Sequence, residues 1–362
     1  MRVTIIGLGL IGGSLGLALK QLDPPVEIVG HDIDAETLAA AAAAGAVDRA
    51  VESLSDSCTD ADFIFIATPL NVIPKVLAEI AAVVGSQTVV TDVGSTKQTI
   101  VETAREVLPS RVNFIGGHPM AGSDQGGFES ATAALFKEAV YVLTPTASTG
   151  SEAFQGLHTL LTRLEARVMA LSPAKHDEVV AAVSHLPHVL AAALVNHVAT
   201  VEEGIENRLL FAAGGFRDTT RIAGSNPDLW ADICLDNRDA IIESIDKFRE
   251  VLGTARDHIA SGDDQGLRGL LASAKERRLS MSIGEAAPGA LREVDVIVSD
   301  QPGTISEITR TFGQMGVNIE DIRIIHLSGE KGIIKLMVYD DPRFERALRR
   351  LREYDFNIVV QK

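Results

Sequence analysis

Between Met1 and about Ser172, short apolar, β-rich runs alternate with amphipathic segments: RVTIIG, VEIVGHD, DFIFIAT, TVVTDVG, VNFIGGH, AVYVLT and ARVMAL. Apolar on consecutive positions, bounded by Gly and Asp and spaced by about 20–30 residues, they read as strands of a buried parallel sheet joined by helical crossovers. A doubly wound α/β domain is expected over residues 1–171. From Ser172 the strand signal vanishes, and Pro173 to about Ile283 carries helical periodicity, with Ser225-Asn226-Pro227 and Gly253 reading as helix ends. An all-α second domain is expected over 172–285. Residues 284–289, GEAAPG, have the composition of a linker.

Beyond the linker the pattern changes again. It runs strand (Arg292 to Val298), turn (Asp300 to Gly303), helix (Thr304 to Met315), strand (Val317 to Leu327), strand (Gly332 to Val338), helix (Pro342 to Tyr354) and strand (Asn357 to Gln361). This βαββαβ order is that of an α+β ferredoxin-like domain, expected over 291–362.

Composition narrows the chemistry. Aromatic residues are 4% of the chain and alanine is abundant, so the cores are aliphatic and closely packed. With 33 basic and 49 acidic residues the formal charge is −16, which disfavours nucleic acid or an anionic membrane as partner. Residues 291–362 hold 11 basic and 12 acidic residues, so the acid excess lies in the first two domains, where an anionic ligand needs a local basic pocket. Two cysteines, Cys58 and Cys234, are too few for a disulfide framework or a thiolate metal cluster, and a cytoplasmic location is expected. No apolar stretch is expected to reach the roughly 20 residues of a membrane span, and glycines interrupt the N-terminal run as they would not in a signal peptide.

The first strand leads into Gly7-Leu8-Gly9-Leu10-Ile11-Gly12-Gly13-Ser14, read as a glycine turn before a helix over Leu15 to Leu22. Glycines permit a tight turn and close approach of backbone to a pyrophosphate, which then meets the unpaired N–H groups of a helix N-terminus. Asp32 ends the second strand, 20 residues after Gly12, and no Arg or Lys follows in Asp32-Ile-Asp34-Ala. A carboxylate there accepts hydrogen bonds from a ribose diol and repels a 2′-phosphate, so the expected cofactor is NAD. Thr68, which ends the run DFIFIAT, and Pro69 after it join the candidate cofactor set. The bland alternative is a glycine turn that merely joins strand to helix, with Asp32 as a helix cap.

The helical domain holds two unusual clusters. His176, His185, His188 and His197 are four of the nine histidines, and Pro187 interrupts an otherwise helical run, where proline costs about 3 kcal/mol or more. Either His185 and His188 turn into a cleft between domains, or the proline starts a new helix and the histidines are ordinary. No metal is expected, because no Glu-x-x-His element accompanies them. Arg217 and Arg221, four apart on one helical face, repel by about 0.2–0.5 kcal/mol unless an anion compensates. That anion is a substrate carboxylate or the neighbouring Asp218.

Five motifs occur in order: Gly7 to Ser14, Asp92-Val-Gly-Ser95-Thr-Lys97, Gly116-Gly-His118-Pro-Met-Ala-Gly122, Ser184-His-Leu-Pro-His188 and Gly214-Gly-Phe-Arg-Asp-Thr-Thr-Arg221. Together they closely resemble the prephenate dehydrogenase family over residues 1 to about 285, and the tail resembles an ACT domain, with Asp300, Pro302 and Gly303 in its ligand-loop motif. The resemblance implies a Rossmann domain, an all-α dimerisation domain and an ACT domain in a homodimer. It implies NAD-dependent oxidative decarboxylation of prephenate to 4-hydroxyphenylpyruvate, with tyrosine as feedback effector by the logic of the pathway. By matched positions, His118 accepts the hydrogen bond of the ring hydroxyl, Ser95 orients His118 and Arg221 holds a carboxylate. His185, His188, Arg217, Asp218, Ser123 and Asp124 complete the pocket, and Trp230 approaches from the partner subunit.

Asp124 stands where the family often has glutamate, which keeps arogenate open as substrate. A 3-hydroxyacid dehydrogenase is disfavoured, because Lys175, Lys247 and Lys275 lie in no glycine-rich catalytic motif. A non-catalytic NAD-linked amino-acid sensor is disfavoured by Ser95, His118 and Arg221 occurring together.

Overall fold

The structure, a computed structural model, describes residues 1–122, 126–199, 211–281, 291–299, 304–315, 317, 319–327, 331–339, 343–354 and 356–360. The chain divides into two compact units, Met1–Glu250 and Val251–Lys362.

The first unit opens with β1 (Arg2–Ile6), α1 (Leu10–Leu19), β2 (Glu27–His31), α2 (Ala35–Ala43), β3 (Arg49–Ala50), α3 (Leu54–Ser57) and β4 (Phe63–Ile66). It continues through α4 (Ile73–Ile80), β5 (Val89–Asp92), α5 (Gln98–Val107), β6 (Asn113–Pro119), β7 (Val140–Thr144), α6 (Ser151–Arg163) and β8 (Arg167–Ala170). The strands form one sheet in the order β3-β2-β1-β4-β5-β6-β7-β8, whose first six have the Rossmann arrangement. Period-two alternation splits the core between the two faces. Phe63 and Phe65 join Val3, Ile5, Leu15 and Ile28 on one face, while Ile64 and Ile66 join Ile6, Ile73, Leu77 and Val90 on the other.

All seven apolar runs are strands, with three departures from the expected parallel, buried sheet. The two-residue β3 carries no apolar signal of its own. β7 runs antiparallel to β6, and the described part of their connection contains a short turn at Phe128–Ser130 in place of a crossover helix. β8 lies at the sheet edge, so Arg167, Met169 and Ala170 are exposed. The first helix also begins earlier than expected: Gly9 is its N-cap, and Gly12, Gly13 and Ser14 lie inside it.

Helices follow from Ser172, whose side chain caps α7 (Pro173–Val180). A π turn (Ala181–His185) leads directly into α8 (Leu186–Ala199). Pro187 therefore causes no break: the π turn covers the residues whose carbonyls would meet the proline ring in a regular α-helix. The whole run Pro173–Ala199 is long and apolar enough by composition to cross a bilayer, with a mean hydropathy of 1.6 over its best window. The expectation that no segment reaches that length is corrected here, since His, Ser and Asn do not interrupt such a window. The run nonetheless carries Asp177, which is hydrogen-bonded to the sheet domain at Lys97 and Gln98.

Next come α9 (Gly214–Thr220), α10 (Pro227–Asp236), capped by Asn226, and α11 (Arg238–Ser261), which runs from the first unit into the second. Gly253 lies inside α11 and ends nothing, because one glycine at roughly 1 kcal/mol does not break a 24-residue helix.

The second unit contains α12 (Asp264–Met281), β9 (Leu291–Ser299), α13 (Thr304–Gln314), β10 (Ile319–Leu327), β11 (Lys331–Tyr339), α14 (Phe344–Glu353) and β12 (Asn357–Val360). The sheet order β10-β11-β9-β12, antiparallel throughout, is the ferredoxin-like arrangement. Val294, Val296, Leu336 and Val338 pack against Ile308 and Phe312 of α13 and Phe344, Leu348 and Leu351 of α14. On β9 and β11, half-buried Lys335 pairs with Glu293 and Asp295.

Candidate active site

The glycine loop joins β1 to α1. Gly7 has φ +90°, and a Cβ there would stand 2.6 Å from the Ala67 carbonyl oxygen, so both backbone and space demand glycine. A Cβ on Gly12 would stand 1.9 Å from the Gly7 oxygen. Gly9 is different: nothing lies within 4 Å of the Cβ position, and the helix start behind it has no side-chain cap. The open space at Gly9 and the uncapped N–H groups form a cradle for a pyrophosphate. Beside it, Thr68 Oγ1 is buried with no hydrogen-bond partner among the described residues.

Asp32 borders this cradle, accepting the Leu8 N–H at 2.7 Å and the Asp34 N–H at 2.9 Å. The cap of α2 is Asp34, not Asp32. Asp32, half-buried beside the glycine loop, is therefore positioned for a ribose diol. These residues fit a dinucleotide.

The second cluster is built from β6, the start of α5 and the first helical turns beyond the sheet. His118, near the end of β6, places Nδ1 2.8 Å from His176 Nε2, and His176 Nδ1 lies 2.7 Å from Asp177 Oδ1. Asp177 also accepts the N–H groups of Lys97 and Gln98, each at 2.8 Å, at the N-terminus of α5, where a carboxylate is favoured. Lys97 is fully buried, pairs with Asp92 and donates to the Gly117 carbonyl at 2.8 Å. Asp92 in turn accepts the N–H groups of Gly94 and Gly117. The polar chain thus ties the ends of β5 and β6 to α5 and α7.

Burial, reinforced by the Lys97 ammonium and by His176 and His185, holds the His118 pKa well below the usual histidine range. The ring is neutral near pH 7. Burial likewise pushes His185 down to about 4, against the pull of Asp177. Asn237 donates to the Asp177 carbonyl at 2.9 Å and lies 3.2 Å from His185 Nδ1. Trp230 stacks on His188 with ring centroids 3.5 Å apart and meets His185 edge-on at 6.0 Å.

Comparison with known proteins gives the cluster its context. The chain matches the family described as prephenate dehydrogenase, nucleotide-binding domain, over residues 15–170, and the prephenate dehydrogenase dimerization domain over 172–273. It is 38% identical to the prephenate dehydrogenase of Bacillus subtilis over 98% of both chains. The chain belongs to the prephenate dehydrogenase family. Residues 292–356 match the ACT domain. Among solved structures, the A. aeolicus prephenate dehydrogenase in complex with hydroxyphenyl propionate and NAD+ aligns with a TM-score of 0.73 at 30% identity, covering 78% of this chain and 98% of that one. The Synechocystis arogenate dehydrogenase aligns with a TM-score of 0.71 at 33% identity, covering 78% and 100%. The protein is accordingly an NAD-dependent oxidoreductase of the prephenate dehydrogenase family.

For this family member the structure brings together His118, His185, His188 and Trp230. The remaining candidate residues are placed as follows. The partner at His118 Nδ1 is His176, and among the described residues Ser95 makes no hydrogen bond to His118. Trp230 lies beside His185 and His188 of its own chain, through α10 packing on the turn that follows Pro69. Arg217 and Asp218 are exposed on α9 and form no ion pair with each other among the described residues. Arg221 lies just past that helix in a turn, Arg221–Gly224, which packs on α8. Ser123, Asp124, Asp300, Pro302 and Gly303 lie outside the described residues. The residues missed from sequence are His176, Asp177 and Asn237; an adjacent His-Asp pair one turn after the Ser172 cap was the available signal.

Proposed function

We propose that His118 is the base in the oxidative decarboxylation of prephenate to 4-hydroxyphenylpyruvate. The observation that supports this most is a buried, neutral imidazole whose Nδ1 is already engaged, leaving Nε2 to accept from a substrate hydroxyl. Bound NAD supplies the hydride acceptor. As hydride leaves the ring carbon that bears the hydroxyl, His118 Nε2 takes up the hydroxyl proton and stabilises the carbonyl-like oxygen. Loss of the ring carboxylate as carbon dioxide supplies the electron pair that aromatises the ring, and His118 returns the proton to the phenol. Arg221, with Arg217, binds substrate carboxylate; His185, His188, Asp218, Ser123, Asp124 and Trp230 shape the pocket, and Ser95 contributes at the loop before Lys97.

Gly7 to Gly13, Asp32, Thr68 and Pro69 bind NAD in this reading. The domains divide as 1–171, 172–285 and 291–362. Two copies associate through the helical domain, whose α11 and α12 expose Ile242, Leu252, Ile259 and Leu271. Tyrosine binds the ACT domain at the Asp300, Pro302 and Gly303 loop and lowers activity. The free cysteines, Cys58 and Cys234, fit a cytosolic location.

Purified protein incubated with NAD and prephenate should reduce the cofactor and release carbon dioxide. Faster turnover of arogenate than prephenate would move the substrate assignment to arogenate, the reading that the shorter Asp124 favours. Tyrosine should inhibit the full chain but not the Gly303→Asp variant; equal inhibition of both would place tyrosine at the active site.

A further inference from the structure

The base reading leaves open how His118 is held in a form that can accept a proton. Neutral histidine has two tautomers, and only the one with hydrogen on Nδ1 leaves Nε2 free. The hydrogen-bond chain behind His118 selects between them. Asp177 is a carboxylate and an acceptor, so the 2.7 Å contact assigns the His176 proton to Nδ1. A His176 with its single proton on Nδ1 offers only a lone pair at Nε2, and His118 then donates from Nδ1 across the 2.8 Å contact. His118 Nε2 is then the free lone pair.

We propose that His176 and Asp177 are positioning residues that hold His118 in its Nδ1–H tautomer, through a buried His118–His176–Asp177 chain, so that Nε2 faces the substrate as an acceptor. The inference rests on the reading of His118 as base and adds the device that prepares it.

Asp177 is fixed independently of the histidines. The backbone N–H groups of Lys97 and Gln98 hold both its oxygens, so it cannot rotate away from His176 without abandoning the α5 N-terminus. His176 is fully buried and His118 nearly so, and the rings meet edge to face at 66°. Among the described residues, the other charged or titratable groups that act on His118 are Lys97, paired with Asp92, and His185, which Asn237 reaches at Nδ1. The structure gives neither a hydrogen bond to His118. The chain has the logic of a hydrolase triad, in which a buried carboxylate orients a histidine by fixing its tautomer, with a second imidazole interposed. When Nε2 takes the substrate proton, the imidazolium formed still donates from Nδ1 to a ring backed by the Asp177 carboxylate.

Three variants of the full-length protein separate this role from a general structural one. His176→Gln keeps an acceptor, Oε1, where Nε2 stood, and should retain kcat within about tenfold. His176→Phe fills the volume without an acceptor and should lose about 10²-fold or more in kcat, while the Kd and KM for NAD stay unchanged. Nitrogen-15 NMR of histidine-labelled protein, with His118 assigned by comparison with His118→Asn, should show Nδ1–H in the wild type and in His176→Gln, and Nε2–H in His176→Phe. An Nε2–H tautomer in the wild type overturns the inference, as does a wild-type kcat in His176→Phe. Should His176→Phe fail to fold, the wild-type tautomer decides alone. Failure of the base reading looks different: His118→Asn would then turn over normally, whatever the tautomer.

Discussion

Asp177 accepts the backbone N–H of Lys97 across 80 positions of sequence, at 2.8 Å and out of solvent. One carboxylate thereby docks the first helix beyond the sheet onto the N-terminus of α5, and its neighbour His176 meets His118 at 2.8 Å beside that contact. Packing and chemistry are joined at this point: whatever disturbs the Lys97 turn also moves the His118 partner.

The first prediction concerns Lys97 itself. Its ammonium pairs with Asp92, both side chains being wholly buried, so burial pushes its pKa down while Asp92 pulls it back up. Lys97→Met leaves a buried carboxylate with only the Gly94 and Gly117 N–H groups, and should cost about 3–5 kcal/mol in urea unfolding. Asp92→Asn combined with Lys97→Met should cost less than the sum of the single changes, because no uncompensated charge remains. Strict additivity would mean that the pair is not coupled.

His118→Asn should preserve NAD affinity and lower kcat by about 10²–10⁴-fold, the range for a lost general base. Calorimetric titration with NAD and steady-state turnover of prephenate give the two numbers. A variant that turns over near the wild-type rate would remove His118 from the mechanism.

Legibility in the sequence followed range. The strands could be read because Phe63, Ile64, Phe65 and Ile66 are apolar on successive positions, a local property of a sheet covered on both faces. The βαββαβ tail was legible for the same reason. The two residues of β3 carry too little pattern, and the direction of β7 depends on what lies between it and β6. At the site, the glycine loop and Asp32 are local and were found. The His118 partner was not, because it lies 58 residues away on a helix whose docking is set by Asp177. Adjacency of His176 and Asp177 on the chain says nothing of which sheet end they meet.

Asp32 carries the cofactor prediction. Its carboxylate accepts from Leu8 in the glycine loop, and Asp34 performs the helix capping, so Asp32 is left to meet the ribose. The enzyme should strongly prefer NAD to NADP in kcat/KM, and Asp32→Ser should narrow the preference by relieving repulsion of the 2′-phosphate. Equal use of both cofactors by the wild type would contradict the placement.

Arg221, in the turn packed on α8, should matter to the dicarboxylate and not to NAD. Arg221→Ala should raise the KM for prephenate by far more than the KM for NAD, and Arg221→Lys should recover only part of the loss, lacking the planar fork. Parallel changes in both constants would make the arginine structural.

Acid should weaken the fold in a window set by the buried histidines. His185 is pushed down to about 4 and His118 is lowered too, so both are neutral in the folded chain where the unfolded chain, titrating near the ordinary histidine value of about 6.5, is already charged. The unfolded state then binds more protons, so stability falls as pH drops below about 6.5, and the His185 contribution is fully lost by about pH 4. For His185 the shift corresponds to about 3 kcal/mol, and His118 adds a loss of the same sign. Carboxylates whose pKa is lowered in the fold, such as Asp48, act in the same direction but only from about pH 4 downward, so the upper part of the window belongs to the histidines. Urea unfolding at about pH 7 and about pH 4.5 should therefore show a marked loss in the wild type. His185→Asn keeps an acceptor facing Asn237 and removes the titrating ring, so it should show a smaller loss between the same two pH values. An equal loss in both proteins would mean that His185 does not carry its share of the acid sensitivity.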